Sequence, residues 1–254
     1  MSLRCGRNLR IHLPTGCPHY KYLGFIINPE GVRADPVKTQ AIEQWETPRT
    51  VKDIQCFTGF CNFYRRLING FSRIVRPLYQ LTTKKGKENW IWNEKEQNSF
   101  NQMKRSLTTA PVLVHFDPNK PIIVETEASN YVCSGILSQQ QDYGTWRPVA
   151  YRSKTLSKAQ CNYNIHDKEI LAIMQALGEW REYCEGTKYT VKILTDHESL
   201  VPVTTTNIGE RTQRQANMME RRISQFQHQY WVQTRIGRGK TRCSHSKIRR
   251  LADT

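Results

Sequence analysis

Residues 122–127 read Ile122-Ile123-Val124-Glu125-Thr126-Glu127, a run rich in β-branched side chains that begins just after Pro118 and predicts a strand. Tyr131 to Gln139 and Pro148 to Ser153 predict two more. A long helix is expected from about His166 to Cys184. There Ile170, Ile173, Met174, Leu177 and Trp180 recur at helical spacing, and Gly186 closes the run. Tyr189 to Thr195 predicts a fourth strand and Arg211 to Gln225 a second helix. Three strands, a helix, a strand and a helix make an α/β domain with a mixed sheet and flanking helices.

Upstream the pattern is different, and the composition shift places a boundary near residues 111–119. Residues 35–110 read as mostly helical. Asp35-Pro36 pairs an N-cap with proline at the first helical position, and Val37, Ala41, Ile42 and Trp45 make one apolar face. Thr50 with Asp53 caps a second helix, whose inner face is Val51, Ile54, Phe57, Cys61 and Tyr64 or Leu67. Asn93 with Glu96 opens another, through Phe100, Met103 and Leu107 to the stop at Pro111. Before them, Tyr22 to Ile27 predicts a short strand and Asn28-Pro29-Glu30-Gly31 a turn. Trp45, Trp90, Trp92 and Trp180 fall where core packing is expected rather than base stacking.

The chain has 254 residues, enough for one large domain or two ordinary ones. Thirty-eight Lys and Arg against 22 Asp and Glu give a formal charge of +16, which points to a polyanionic partner, nucleic acid first. The eight cysteines form no Cys-x-x-Cys pair and no zinc-like set, so reduced, partly buried thiols are expected. No apolar stretch is long enough to span a bilayer and no secretory signal is visible, so an intracellular protein, cytoplasmic or nuclear, is expected without a membrane partner.

Glu127 ends the first strand of the α/β region, Glu169 lies in the first turn of the long helix, and Asp196 ends the fourth strand. Strand ends and neighbouring helix starts converge on one crevice in α/β folds. Carboxylates that converge repel one another unless hard, oxygen-seeking cations such as Mg²⁺ sit between them. Two such ions about 4 Å apart activate a water and stabilise the leaving oxygen of a phosphodiester. Taken singly, each residue also has an ordinary reading: an acid in a helix's first turn answers the helix dipole, and an Asp after a strand suits a turn.

Several blocks in order resemble the reverse transcriptase of gypsy-type LTR retrotransposons, from its thumb and connection through its ribonuclease H-like domain. Tyr22-Leu23-Gly24-Phe25-Ile26-Ile27 with Pro29-Glu30-Gly31-Val32 is similar to the family's primer-grip strand pair. Val51-Lys52-Asp53-Ile54-Gln55 through Phe60 to Ile68 is similar to its thumb signature, and Ala110-Pro111-Val112-Leu113 to the start of its ribonuclease H-like region. Thr126-Glu127-Ala128-Ser129, Asn162-Tyr163 with Asp167-Lys168-Glu169, and Thr195-Asp196-His197-Glu198-Ser199-Leu200 resemble that region's ordered blocks. The resemblance implies a palm and primer-grip remnant over 1–33, a helical thumb and connection over 34–110 and a ribonuclease H-like domain over 111–226; a basic, disordered tail is expected over 227–254.

The resemblance also implies Mg²⁺-dependent cleavage of the RNA strand of RNA–DNA hybrids, with Glu127, Glu169 and Asp196 as catalytic metal ligands and Mn²⁺ as a substitute ion. Arg65, Arg66, Lys84, Lys85 and Lys87 are the candidates for phosphate contact. His166 and His197 are expected to be supporting or structural. The palm with its Asp-Asp motif is expected from the parent polyprotein as a partner, and no polymerase activity is expected of this chain by itself.

Two departures bear on activity. Glu127 stands where the family has Asp, and one extra methylene displaces the carboxylate in a site that tolerates only about half an ångström. The family's closing Asp-Ala-Leu-Ser block, with its fourth acid, is matched here by Gly239-Lys240-Thr241-Arg242-Cys243-Ser244, which has none. Lys240 to Cys243 can be encoded AAG ACG CGC TGC, which from its third base reads Asp-Ala-Leu. A frameshifted tail from about residue 227 is therefore expected, with different codons at 240–243 as the disproof. Seven Lys and Arg between Arg235 and Arg250 could bind nucleic acid or serve as a localisation signal, or have no selected purpose. The alternative function is a decayed fragment that only binds nucleic acid.

Overall fold

A computed structural model describes residues 2–5, 9–12, 19–195 and 230–234. The chain divides into two compact units. Met1–Phe116 with Pro148–Ser153 forms unit 1; Asp117–Arg147 with Lys154–Thr254 forms unit 2.

In unit 1, β1 (Ser2–Cys5) and β2 (Leu9–His12) pair antiparallel. β3 (Tyr20–Tyr22), β4 (Phe25–Asn28) and β5 (Gly31–Ala34) form an antiparallel sheet in that order. The sequence predicts a single strand over Tyr22 to Ile27. Instead Leu23 (φ 47°) and Gly24 (φ 80°) both adopt positive φ and fold it into a hairpin. Two consecutive positive-φ residues make the turn whose twist suits paired strands, and the Tyr64 hydroxyl fixes it by donating to the Gly24 carbonyl at 3.2 Å.

The helices of unit 1 begin where their caps predict. Asp35 caps α1 (Pro36–Glu43), Thr50 and Asp53 form a capping box on α2 (Val51–Phe63), and Asn93 and Glu96 form another on α5 (Glu94–Thr108). Between α2 and α5 lie α3 (Phe71–Leu81), entered through Gly70 in the left-handed region, and the short α4 (Lys84–Glu88). The apolar face expected on α1 is narrower than its pattern. Ile42 is buried and Trp45 half-buried, while Val37 and Ala41 are exposed, because this eight-residue helix packs one edge on α5. Ile54, Phe57 and Cys61 of α2 meet Phe71, Val75 and Leu78 of α3 and Phe100, Met103 and Leu107 of α5 in one core. The Phe57 and Phe100 rings lie 4.6 Å apart. Trp45, Trp90 and Trp92 pack on its margin, as expected.

Unit 2 is built on β6 (Ile122–Ala128), β7 (Val132–Gln140), β9 (Val191–Thr195) and β10 (Tyr230–Thr234); β8 (Trp146–Thr155), whose Pro148–Ser153 stretch belongs to unit 1, completes the strand order β10-β9-β6-β7-β8. β6 runs antiparallel to β7 and parallel to β9, which is parallel to β10, so the sheet is mixed. α6 (Lys158–Cys161) and α7 (Ile165–Glu179) follow β8. The long helix expected to reach Cys184 breaks at Trp180 (φ −103°, ψ 22°) and resumes as α8 (Arg181–Gly186). The buried Trp180 ring lies over Gly135, where an added Cβ would sit 3.2 Å from it.

α7 packs on the face of β6 and β7 that carries Ile122, Val124, Cys133 and Leu137, all buried. The entry to β6 is held by Gln139, which is fully buried. Its amide donates to the Asp117 carbonyl at 2.7 Å, and its oxygen accepts from the Asp117 N–H at 2.9 Å. Among the described residues no helix is long and apolar enough to cross a membrane. The helix expected over Arg211 to Gln225 lies outside them, and within the tail expected to be disordered Tyr230–Thr234 instead forms β10, whose backbone pairs parallel with β9.

Candidate active site

The site of unit 2 forms where β6 and β9 end side by side. Their parallel register pairs Thr126 with Thr195, and parallel partners project to the same face of a sheet. Both threonines are buried, at 4% and 1% exposure. α7, whose start is fixed by Asn164 capping through the Asp167 N–H at 2.8 Å, packs on β6 and β7. Glu169, two residues later and 3% exposed, is thereby directed at the ends of both strands.

Its carboxylate is held from two sides. Oε1 accepts from the Ala128 N–H of β6 at 3.0 Å, and Oε2 accepts from the Thr195 hydroxyl of β9 at 3.0 Å. A hydrogen bond to each oxygen fixes the carboxylate plane.

Glu127 is the residue immediately before the amide that Glu169 engages. It is exposed and alternates with Thr126 on the pleat of β6. The structure thus brings Glu169 to the Glu127–Ala128 peptide link. Asp196 follows Thr195 in sequence and lies outside the described residues, as does His197. His166 is half-buried at the start of α7.

Residues 92–191 match the family described as the RNase H-like domain found in reverse transcriptase. Over 181 residues, 71% of this chain, the sequence is 37% identical to the Transposon Tf2-3 and Tf2-4 polyproteins of Schizosaccharomyces pombe. The chain belongs to the Pol polyproteins of LTR retrotransposons. It spans about 13% of the length of those transposon relatives. A solved foamy viral protease-reverse transcriptase in complex with double-stranded DNA superposes with a TM-score of 0.66 at 19% identity, covering 84% of this chain and 37% of that one. The same viral protein in complex with RNA/DNA hybrid gives 0.62 at 18%, covering 93% and 32%. The mixed sheet and flanking helices are therefore those of the reverse transcriptase and ribonuclease H-like fold.

RNase H-like domains generally depend on divalent metal. The donors of this LTR-retrotransposon chain fit such an ion: carboxylate oxygens are hard ligands, and the buried Glu169 carboxylate is preoriented by a donor on each oxygen. Among the described residues no three His, Cys, Asp or Glu side chains come together, and the third expected acid, Asp196, is not one of those residues.

Sequence reading missed Thr195 and the Ala128 amide. A threonine just before an acid at a strand end is a faint signal, and the amide leaves no signal in sequence. Of the basic candidates in unit 1, Arg65 donates to the Ser153 carbonyl at 2.5 Å and to Asn62 Oδ1 at 3.4 Å, with its guanidinium 5.5 Å from the Phe71 ring centroid. Arg66, Lys84 and Lys87 are exposed; Lys85 is placed in α4 by its backbone.

Proposed function

We propose that this chain is a divalent-metal-dependent ribonuclease that hydrolyses the RNA strand of RNA–DNA hybrids. The observation that supports it most is the buried Glu169 carboxylate, oriented by one donor from β6 and one from β9. Glu127, Glu169 and Asp196 would hold the ion, with Mg²⁺ native and Mn²⁺ a substitute. When bound, the metal supplies an activated water and neutralises charge on the phosphodiester and its leaving oxygen. Glu169 holds one fixed carboxylate at the strand ends. Glu127 presents a second from the solvent side of β6, one methylene longer than the family's Asp.

The hybrid is recognised through backbone charge, 2′-hydroxyls and duplex shape. Arg66, Lys84, Lys85 and Lys87 are the proposed phosphate contacts. Arg65 is the fifth candidate, and its described bonds go to the protein's own Asn62 and Ser153. The foamy viral relatives solved with duplexes support nucleic acid as the partner class.

The test is a hybrid labelled on its RNA strand, incubated with the chain in Mg²⁺, in Mn²⁺ and in chelator. Slow cleavage in Mg²⁺, faster in Mn²⁺ and none in chelator is the expected pattern. Hybrid binding without cleavage under all three conditions would replace this reading with a fragment that only binds nucleic acid.

A further inference from the structure

We infer that Thr195 is a positioning residue for the metal site, acting through its hydroxyl on Glu169. This rests on the reading of Glu169 as a metal ligand. The hydroxyl is 3.0 Å from Glu169 Oε2 in a buried pair, and Thr195 is 1% exposed. A buried hydroxyl facing a carboxylate oxygen has one productive role there, to donate. The bond holds that oxygen on a set bearing.

The arrangement is not a general feature of the strand ends. Thr126, the register partner of Thr195 on the same face, has its hydroxyl 3.5 Å from the Leu194 carbonyl, a long bond back to the sheet. Thr195 alone of the pair reaches the carboxylate. The other oxygen of Glu169 is served by the Ala128 N–H, a donor no side-chain substitution can remove. Rotation of the carboxylate about its last bond is therefore blocked at one oxygen by backbone and at the other by this hydroxyl. Groups that orient a metal ligand in this way typically change metal affinity or activity about 10–100-fold when removed.

The experiment compares the full chain with Thr195→Val, Thr195→Ser and Glu169→Gln in two readouts. One is Mn²⁺ affinity by titration of the free-ion paramagnetic resonance signal, with no substrate present. The other is hybrid cleavage resolved into kcat and KM. Thr195→Val keeps the shape and should weaken Mn²⁺ binding about tenfold and lower kcat with KM unchanged; Thr195→Ser should restore both. If Val does not fold by circular dichroism, Thr195→Ala against Thr195→Ser makes the same comparison, since those two differ by the hydroxyl alone. Val or Ala binding Mn²⁺ as the parent does, while Glu169→Gln does not, overturns the role of Thr195 and leaves the site reading intact. Glu169→Gln binding Mn²⁺ and cleaving like the parent overturns the site reading itself.

Discussion

Glu169 and Glu127 are both carboxylates, and the fold treats them differently. Glu169 is buried and bonded at both oxygens, whereas Glu127 is exposed at the end of β6 with an extra methylene between its carboxylate and the strand. Shortening Glu127 to Asp should therefore raise Mg²⁺-dependent cleavage, by up to about a hundredfold if the displacement is near 1 Å. Single-turnover rates check this, and an unchanged or slower Glu127→Asp would show that the longer side chain is well placed.

Thiols make a second residue-scale prediction. Burial pushes the Cys61 and Cys184 thiols up to about 12 from an ordinary 9.0, while Cys56 is exposed. Iodoacetamide at pH 8 should label Cys56 and spare Cys61 and Cys184 until denaturant is added, as read by peptide mass spectrometry. A raised folded-state pKa stabilises the fold fully below pH 9 and loses that contribution as pH rises from 9 through about 12.

At the scale of elements, α2 depends on its capping box. Asp53 Oδ2 accepts from the Arg49 and Thr50 N–H groups at 3.0 and 2.8 Å, and Thr50 Oγ1 accepts from the Asp53 N–H at 3.2 Å. Thr50→Ala should cost about 1 kcal/mol in denaturant unfolding. The N–H groups bonded to Asp53, Arg49 first, hold its carboxyl below the usual 3.8. A depressed pKa stabilises above the unfolded value, so this cap weakens as pH falls below about 3.8.

These caps, the strands β6 to β9 and the start of α7 were legible because each rests on local signals, a capping side chain or a β-branched run. The Leu23-Gly24 hairpin was not, since a leucine at φ 47° contradicts its local preference and is fixed by Tyr64, forty residues away. The break at Trp180 was hidden for a similar reason: the indole turns in over Gly135, a residue of another element. At the candidate site, the helical position of Glu169 was legible from spacing, while its two donors came into view only with the register of β6 against β9.

Over the whole molecule, the charge of +16 sets the binding regime. If Arg66, Lys84, Lys85 and Lys87 each neutralise one phosphate, log affinity for a hybrid should fall with log salt at a slope of about −3 to −4. Lys84→Ala should reduce that slope by about 1 and weaken binding without regard to sequence. Fluorescence anisotropy over a salt series reads both, and an unchanged slope in Lys84→Ala removes that residue from the interface.

The central claim is that Glu169, tied between β6 and β9, holds the metal that hydrolyses RNA. Its most direct test is the single-turnover rate of RNA-strand cleavage in Mg²⁺ for Glu127→Asp with and without Glu169→Gln. The Asp variant should cleave faster than the parent chain, and adding Glu169→Gln should abolish cleavage while hybrid binding persists. Equal rates with and without Glu169→Gln would contradict the claim.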